Sequence, residues 1–423
     1  MRTRANLWIF VASAIFLLMG IITREARFLA LIIPLLTFMT LASLFAPPTP
    51  SISVERALET ETTYEGEDVA VIVTLRNTGD AIPFLEVYDS LPTDSMVTEG
   101  TNHLVLTLKK GETKTMDYKV KFKVKGHYVV GPLVLRSRDP FGMNLKETRV
   151  QAEAVLVVSP RIEDLRRVSI LPRRTRPSLG HVRAKAAGLG TDFWTIREYQ
   201  AGDELRRINW KASARLDSLL TNDKEAERSG DVILVLDARE EANVGYLRHN
   251  TIELGVKATV SLAARLLHDR NRVGLVIQRE ILDWVYPAFG QKQLYRIIDA
   301  LVSVRPGGEW PFEQIAWVLN KYFPPKSLII IISPLVDRTA MESVTELRAR
   351  GFDIILLSPS FLEVERMMAD GDRYTDIAYR VLKMRRDASV AYLRQFAHVV
   401  DWNPREALAL ALKEVSLWPR YGR

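Results

Sequence analysis

The chain has 423 residues, 47% of them apolar and 26% charged, which is too long for one domain and ordinary for a folded protein that carries a membrane segment. It contains no cysteine, which excludes a disulfide framework, a thiolate metal site and a cysteine nucleophile. The formal charge of +7 is a mild excess for this length.

Two uncharged apolar runs open the chain, Ala5 to Thr23 and Phe28 to Ala46. Each spans about 19 residues, or roughly 28 Å as helix, close to the hydrocarbon thickness of a bilayer. Only Thr23-Arg24-Glu25-Ala26-Arg27 separates them, and Pro47-Pro48-Thr49-Pro50 stops the second. The pattern predicts a transmembrane helical hairpin over 1–46. A cleaved signal peptide is the competing reading, but Gly20-Ile21-Ile22-Thr23 is a poor cleavage site and a second apolar run follows at once. A hairpin leaves the N-terminus and the bulk of the chain on one side. Arg2, Arg4 and Arg56 against Arg24 and Arg27 lean that side towards the cytoplasm.

From 47 to 160 the pattern turns to short alternating segments. Val69–Leu75, His103–Leu108, Tyr118–Val124 and Tyr128–Leu135 read as strands, with turns at Asn77-Thr78-Gly79-Asp80 and Lys110-Gly111-Glu112. Tyr118, Val120, Phe122 and Val124 fall on one face of their strand and Lys119, Lys121, Lys123 and Lys125 on the other, a half-buried strand with a solvated basic face. About seven strands in this stretch predict an immunoglobulin-like β-sandwich.

Residues 161–190 are rich in Arg and Pro with little apolar periodicity, and read as a basic linker. Between Arg161 and Arg215 stand 13 basic and 6 acidic residues, an excess equal to the net charge of the whole chain. The segment 191–230 reads as a clasp between domains. Gly202 allows a turn, Asp203 is a good N-cap, and Leu205, Ile208 and Ala212 share one face of an amphipathic helix. Arg206, Arg207, Lys211 and Arg215 crowd near Trp210, which suits a cation–π or carboxylate staple.

From 231 to 423, continuous apolar runs alternate with helical patterns. Val232–Leu236, Val273–Ile277, Leu328–Ile332 and Ile354–Leu357 read as strands buried on both faces. Ile252–His268, Gln291–Val304, Phe312–Tyr322 and Thr339–Arg350 read as helices. This is the pattern of a doubly wound α/β domain. No Walker-type loop, nucleophile elbow or zinc-protease motif occurs, and the six histidines are scattered without ligand spacing. The expected class is therefore non-enzymatic, without catalytic residues or a cofactor.

Arg197, Tyr199, Gly202, Asp203, Arg206, Ile208, Trp210, Ala214 and Arg215 form a long pattern that resembles the signature of the family called domain of unknown function 58, and Arg138-Asp139-Pro140-Phe141-Gly142 resembles a further recurring turn of it. The resemblance implies a membrane-anchored protein whose C-terminal domain is similar to the von Willebrand factor A domain. It also implies association with MoxR-type AAA+ ATPases, beside which such proteins are often encoded. A metal-binding A domain carries D-x-S-x-S after its first strand. Here the stretch is Asp237-Ala238-Arg239-Glu240-Glu241, so both serines are replaced, one by a cation. Gly307-Gly308-Glu309-Trp310 lacks the later threonine, and Ser333-Pro334-Leu335 lacks the later aspartate. The site around Asp237 is expected to hold no metal, although Asp237, Glu240, Glu241, Glu309 and Asp337 are the carboxylates from which another acidic site would be built. The expected partners are the lipid bilayer and a protein, in particular a MoxR-type ATPase. Nucleic acid is not the expected partner. The alternative function is binding of nucleic acid or another anionic polymer through 161–215, and a third, a hydrolase using Asp237, names no substrate.

Overall fold

The computed structural model describes residues 4–141, 143–170, 172, 176–177, 183–200, 205, 208–216, 218–246, 249–308, 314–324, 327–336, 338–368 and 373–413. By internal contacts the chain divides into two units, Met1–Ser159 and Pro160–Arg423.

The first unit opens with three helices, α1 (Arg4–Thr23), α2 (Ala26–Ala30) and α3 (Ile32–Leu44). Among the described residues one helical stretch, Ala26–Leu44, is long and apolar enough to cross a membrane, and a shorter apolar helix, Leu7–Thr23, precedes it. Eleven strands follow. They are β1 (Ile52–Leu58), β2 (Thr62–Tyr64), β3 (Asp68–Asn77), β4 (Ile82–Asp89), β5 (Ser95–Gly100), β6 (His103–Leu108), β7 (Thr113–Phe122), β8 (Gly126–Val130), β9 (Leu133–Arg138), β10 (Leu145–Val150) and β11 (Ala154–Ser159). Their orders are β1-β3-β7-β5, β10-β9-β4-β6 and β2-β11-β8. Alternation supplies the core: Val69, Val71, Val73 and Leu75 of β3 meet Met116, Tyr118, Val120 and Phe122 of β7 and Leu85 and Val87 of β4.

Two expectations need correction here. Tyr128–Leu135 is not one strand. Gly131 takes φ +114° and Pro132 has no N–H to offer a ladder, so the chain leaves one sheet after Val130 and joins another at Leu133. The lysine stripe also ends early. Lys119 and Lys121 stand opposite carboxylates, at 2.8 Å from Glu99 and 3.5 Å from Asp68, but β7 stops at Phe122 and Lys125 is buried. Deeper in, Asp89 accepts from Arg56 and, at 2.7 Å, from the Tyr118 hydroxyl. Burial pushes the Asp89 carboxyl up, and Arg56 pulls it partly back. The Asp139–Phe141 turn meets the end of α3: Phe141 makes edge contacts with Phe38 and Phe45 at 5.4 and 6.1 Å, and Asn144 Nδ2 donates to the Ala42 carbonyl at 3.0 Å.

The second unit holds β12 (Arg176–Pro177), β13 (Arg183–Glu198), α4 (Trp210–Leu216) and β14 (Leu220–Ser229), then the α/β domain. That domain comprises β15 (Asp231–Asp237), β16 (Gly245–Tyr246), β17 (His249–Asn250), α5 (Thr251–His268), β18 (Arg272–Gln278), β19 (Asp283–Ala288), α6 (Gly290–Val302), α7 (Gln314–Tyr322), β20 (Leu328–Ile332), α8 (Arg338–Ala349), β21 (Asp353–Pro359), α9 (Phe361–Met368), α10 (Arg373–Leu393), β22 (His398–Trp402) and α11 (Leu408–Ala411). The main sheet has the order β19-β18-β15-β20-β21-β22, parallel throughout except for the antiparallel edge strand β19. Ile233 and Val235 point to a core shared with α7, α8 and α10, while Leu236 lies against α5 at Gly255. Both faces are covered, which is why these strands read as unbroken apolar runs.

Of the basic linker expected over 161–190, residues 161–170 are docked on the α/β domain, while 171, 173–175 and 178–182 lie outside the described residues. Leu165, Val168 and Ile170 are buried, Glu163 N donates to Ser261 Oγ at 2.9 Å, and Arg265 Nε donates to the Val168 carbonyl at 2.9 Å. Three apolar side chains spaced for docking were hidden among the arginines. Further on, β13 and β14 pair antiparallel with register shifts.

Candidate functional site at the carboxyl end of the parallel sheet

After β15 the chain winds one way to β18, then returns across to β20 on the other side. In open α/β sheets, ligands settle at the carboxyl ends of strands where the winding reverses. Asp237 ends β15 and Ser333 follows β20, so these two residues mark that crevice.

The crevice is filled from within the chain. Asp237 is 2% exposed and Arg239, two residues on, is 3% exposed. Arg239 Nε donates to Asp237 Oδ1 at 2.9 Å and Nη2 to Oδ2 at 3.0 Å, a bidentate fork. Ser333 Oγ donates to Oδ2 at 2.8 Å. Arg239 Nη1 reaches outwards to Glu241 Oε2 and Thr339 Oγ1, both at 3.4 Å. The guanidinium thus fills the crevice beside Asp237, and both oxygens of the carboxylate are engaged by its donors. The backbone closes the remaining side, as Gly307 N donates to the Ala238 carbonyl at 3.2 Å and Glu240 N to the Gly308 carbonyl at 3.3 Å. Glu240 and Glu241 are exposed, while Glu309 and Asp337 lie outside the described residues. Among the described residues no group of three or more His, Asp or Glu converges as a metal ligand set.

A second buried arginine lies along the same edge. Arg386 of α10 donates to Asp401 at the end of β22 at 2.7 Å, to Ser358 Oγ at 2.9 Å and to the Pro334 carbonyl at 2.8 Å. Its role was not read from the sequence, where it is one arginine in Met384-Arg385-Arg386-Asp387. The useful signal is helical phase: Arg386 shares a face with Val390 and Leu393, which are core. Asp237, Ser333, Ser358 and Asp401, four of the polar groups at the strand ends, are all bonded to these two guanidiniums or to each other.

The signature residues are scattered rather than gathered on one helix. Arg197 is half-buried at the end of β13 and its Nη1 donates to the Glu198 carbonyl at 2.9 Å. Tyr199 N donates to the Leu219 carbonyl at 2.8 Å. Ile208 is buried in a bridge to Thr221 and so is not helical, and Leu205 is exposed. The helix begins only at Trp210, with Asn209 as its cap: the Asn209 side chain accepts from Ala212 N at 3.0 Å. The predicted helix from Asp203 is therefore corrected to a short α4, because Ile208 is spent on the ribbon. Trp210, Ala214 and Arg215 lie on α4 and are exposed. Gly202, Asp203 and Arg206 fall outside the described residues.

Residues 195–360 match the family described as Protein of unknown function DUF58, a span running from the end of β13 through β21 to Ser360. That stretch of the chain is a DUF58 region. A curated relative, the uncharacterized protein YeaD of Bacillus subtilis (strain 168), is 26% identical over 219 residues, covering 48% of this chain and 52% of its own length. The chain thus spans about half the length of that relative. Among solved structures, the C-terminal part of Escherichia coli alpha-2-macroglobulin is similar over 28% of this chain and 18% of its own, at 13% identity and TM-score 0.23. The CARDB domain of a Pyrococcus furiosus protein is similar over 26% and 94%, at 14% identity and TM-score 0.17. The chain covers less than a fifth of the first of these.

Proposed function

We propose that this protein is a membrane-tethered, non-enzymatic interaction protein that works by surface recognition. The observation that carries this reading is the Asp237–Arg239 fork. A carboxylate with both oxygens engaged by a buried guanidinium and a serine offers nothing to a divalent cation and no base to a substrate. The order β19-β18-β15-β20-β21-β22 with one antiparallel edge supports a von Willebrand factor A-like head, and the layered sheets of 47–160 support an immunoglobulin-like spacer. The apolar stretch Ala26–Leu44 supports a membrane anchor; that Leu7–Thr23 crosses as well, leaving the bulk of the chain in the cytoplasm, is our reading of the sequence pattern alone. The partner we assign is a MoxR-type AAA+ ATPase, by family resemblance alone. Affinity purification of the full chain from its native membranes tests the reading. A reproducible stoichiometric protein partner, an ATPase of that class foremost, is the expected result, and repeated recovery of the chain alone overturns it.

A further inference from the structure

Helix α10 packs one face inwards through Arg386, Val390 and Leu393. Its opposite face is not covered by the rest of the described second unit. Tyr374, Ile377, Val381 and Met384 are 82%, 53%, 42% and 66% exposed. They recur at intervals of three, four and three residues, and the exposed Ala388 continues the series four residues on. This is the a/d spacing that presents a straight seam to a second helix. A helix needs one buried stripe to hold its place in a domain, and α10 has that stripe already. A second apolar line, at a different phase, stands open to solvent among the described residues of this unit.

The flanks of the seam specify the occupant. Arg380 and Arg385 border it on its two sides and are exposed, with Lys383 further round. Asp376 and Asp387 are the acids of the helix, both on the Arg380 side, and Asp376 stands 3.8 Å from Arg366. At the C-terminal end the seam runs beside a cleft of about 400 Å³ lined by Met341, Glu342, Thr345, Ala388, Ser389 and Tyr392, room for one large apolar side chain. A bilayer surface takes a broad apolar face rather than a single line of side chains. A second copy of the chain brings the same positive excess and in parallel sets Arg380 against Arg385. We propose that the outer face of α10 is the docking site for an acidic amphipathic helix of a partner protein. Its apolar residues interleave with Tyr374, Ile377, Val381 and Met384, and its carboxylates pair with Arg380 and Arg385. This names the partner's chemistry for the interaction reading above and rests on it.

The probe is a designed peptide of about three heptads with Leu at a and d and Glu at e and g, beside a counterpart carrying Lys for Glu. Full-length protein in detergent micelles is titrated with each by fluorescence anisotropy at ~50 mM salt, where charge pairing is weakly screened. The Glu peptide binds, and the Lys peptide binds at least about ten-fold more weakly, because like charges along a seam repel. Ile377→Asp with Met384→Asp abolishes binding, and Arg380→Glu with Arg385→Glu inverts the preference. All four side chains are exposed, so circular dichroism of both variants matches the wild type. Absence of binding, equal affinity for the two peptides, or binding that survives Ile377→Asp with Met384→Asp overturns the proposal. So does self-association in sedimentation that the same pair removes, which assigns the seam to a second copy. Retention on phosphatidylglycerol vesicles that depends on the same residues assigns it to lipid and also overturns it. If the Ile377→Asp/Met384→Asp protein still recovers its partner from native membranes, the α10 site falls while the interaction reading stands. If the wild type recovers none, the interaction reading falls whatever the peptides do.

Discussion

Replacing Arg239 by Met keeps much of the side-chain volume and removes the charge. Asp237 would then stand in the crevice with Ser333 as its remaining side-chain donor, a buried anion that has lost its fork. Removing one partner of a buried ion pair costs about 3–5 kcal/mol. Each ~1.4 kcal/mol is ten-fold in an equilibrium constant, so amides exposed only when the sheet opens should exchange roughly two to four orders of magnitude faster. Hydrogen exchange read by mass spectrometry on peptides covering 231–237 and 328–332 reports on β15 and β20 alone, whatever the sandwich does. Adding Asp237→Asn to Arg239→Met removes the stranded charge, and the double variant should recover a large part of the loss. Two results refute the reasoning: protection in Arg239→Met within about three-fold of wild type, or a double variant no better protected than the single. Either would mean that the guanidinium is not what balances Asp237.

Calorimetry of the full chain in micelles with Mg²⁺ or Mn²⁺ should show no stoichiometric micromolar binding, and an Asp237-dependent isotherm would contradict the filled crevice. Gly308 takes φ +77°, and a Cβ there would fall 2.2 Å from the Glu280 backbone, so Gly308→Ala should lower stability by about 1–3 kcal/mol in thermal melts. An unchanged melting temperature would refute the close approach. Asn209→Ala removes the α4 cap and the amide bond to Asn222 of β14 at 2.8 Å, and should cost about 0.5–2 kcal/mol, read as faster exchange in 210–216 and around Asn222. The Thr98 hydroxyl, followed by Lys121, holds the Asp68 carboxyl below its ordinary 3.8. That stabilisation is present above the unfolded value and lost as pH falls through the folded one. The stability gap between wild type and Thr98→Ala should therefore be widest above about pH 4 and narrow below it, and a gap that ignores pH would count against the hydrogen bond.

The buried parallel strands were legible because their sequence is nearly uniform: Leu328–Ile332 is Leu-Ile-Ile-Ile-Ile and has no polar face to disguise. Helices α6 to α8 were legible for the complementary reason, a single apolar stripe each, and α5, buried nearly all round, by the length of its apolar run. Strand β19 was not, since Pro287 sits in it, a residue tolerated only at a sheet edge. Helix α10 escaped because it carries two apolar lines, one for the core and one for solvent, and their sum has no clear period. At the candidate site, Asp237 drew notice only through the family resemblance, which sets its stretch beside a pattern with two serines. That Arg239 folds back onto Asp237 could not be read at all, because a guanidinium two residues away equally well points to water. The three-dimensional closure by Ser333, from a strand ninety-six residues distant, is a fact of winding. The signature pattern marked the right segment but the wrong shape. Ile208 looks helical by phase with Leu205 and Ala212, whereas in the fold it serves a ribbon.

The Asp139–Phe141 turn of the sandwich has a mechanical consequence. Phe141 wedged between Phe38 and Phe45, with Asn144 gripping the Ala42 carbonyl, means that the prolines at 47, 48 and 50 are not the sole joint between the apolar helix and the first strand. A domain strung on a proline tether swivels; one propped at a second point, some hundred residues along the chain, is mounted like a bracket. Torque applied to the sandwich would then be felt by the helix, and a tilt of the helix would steer the sandwich.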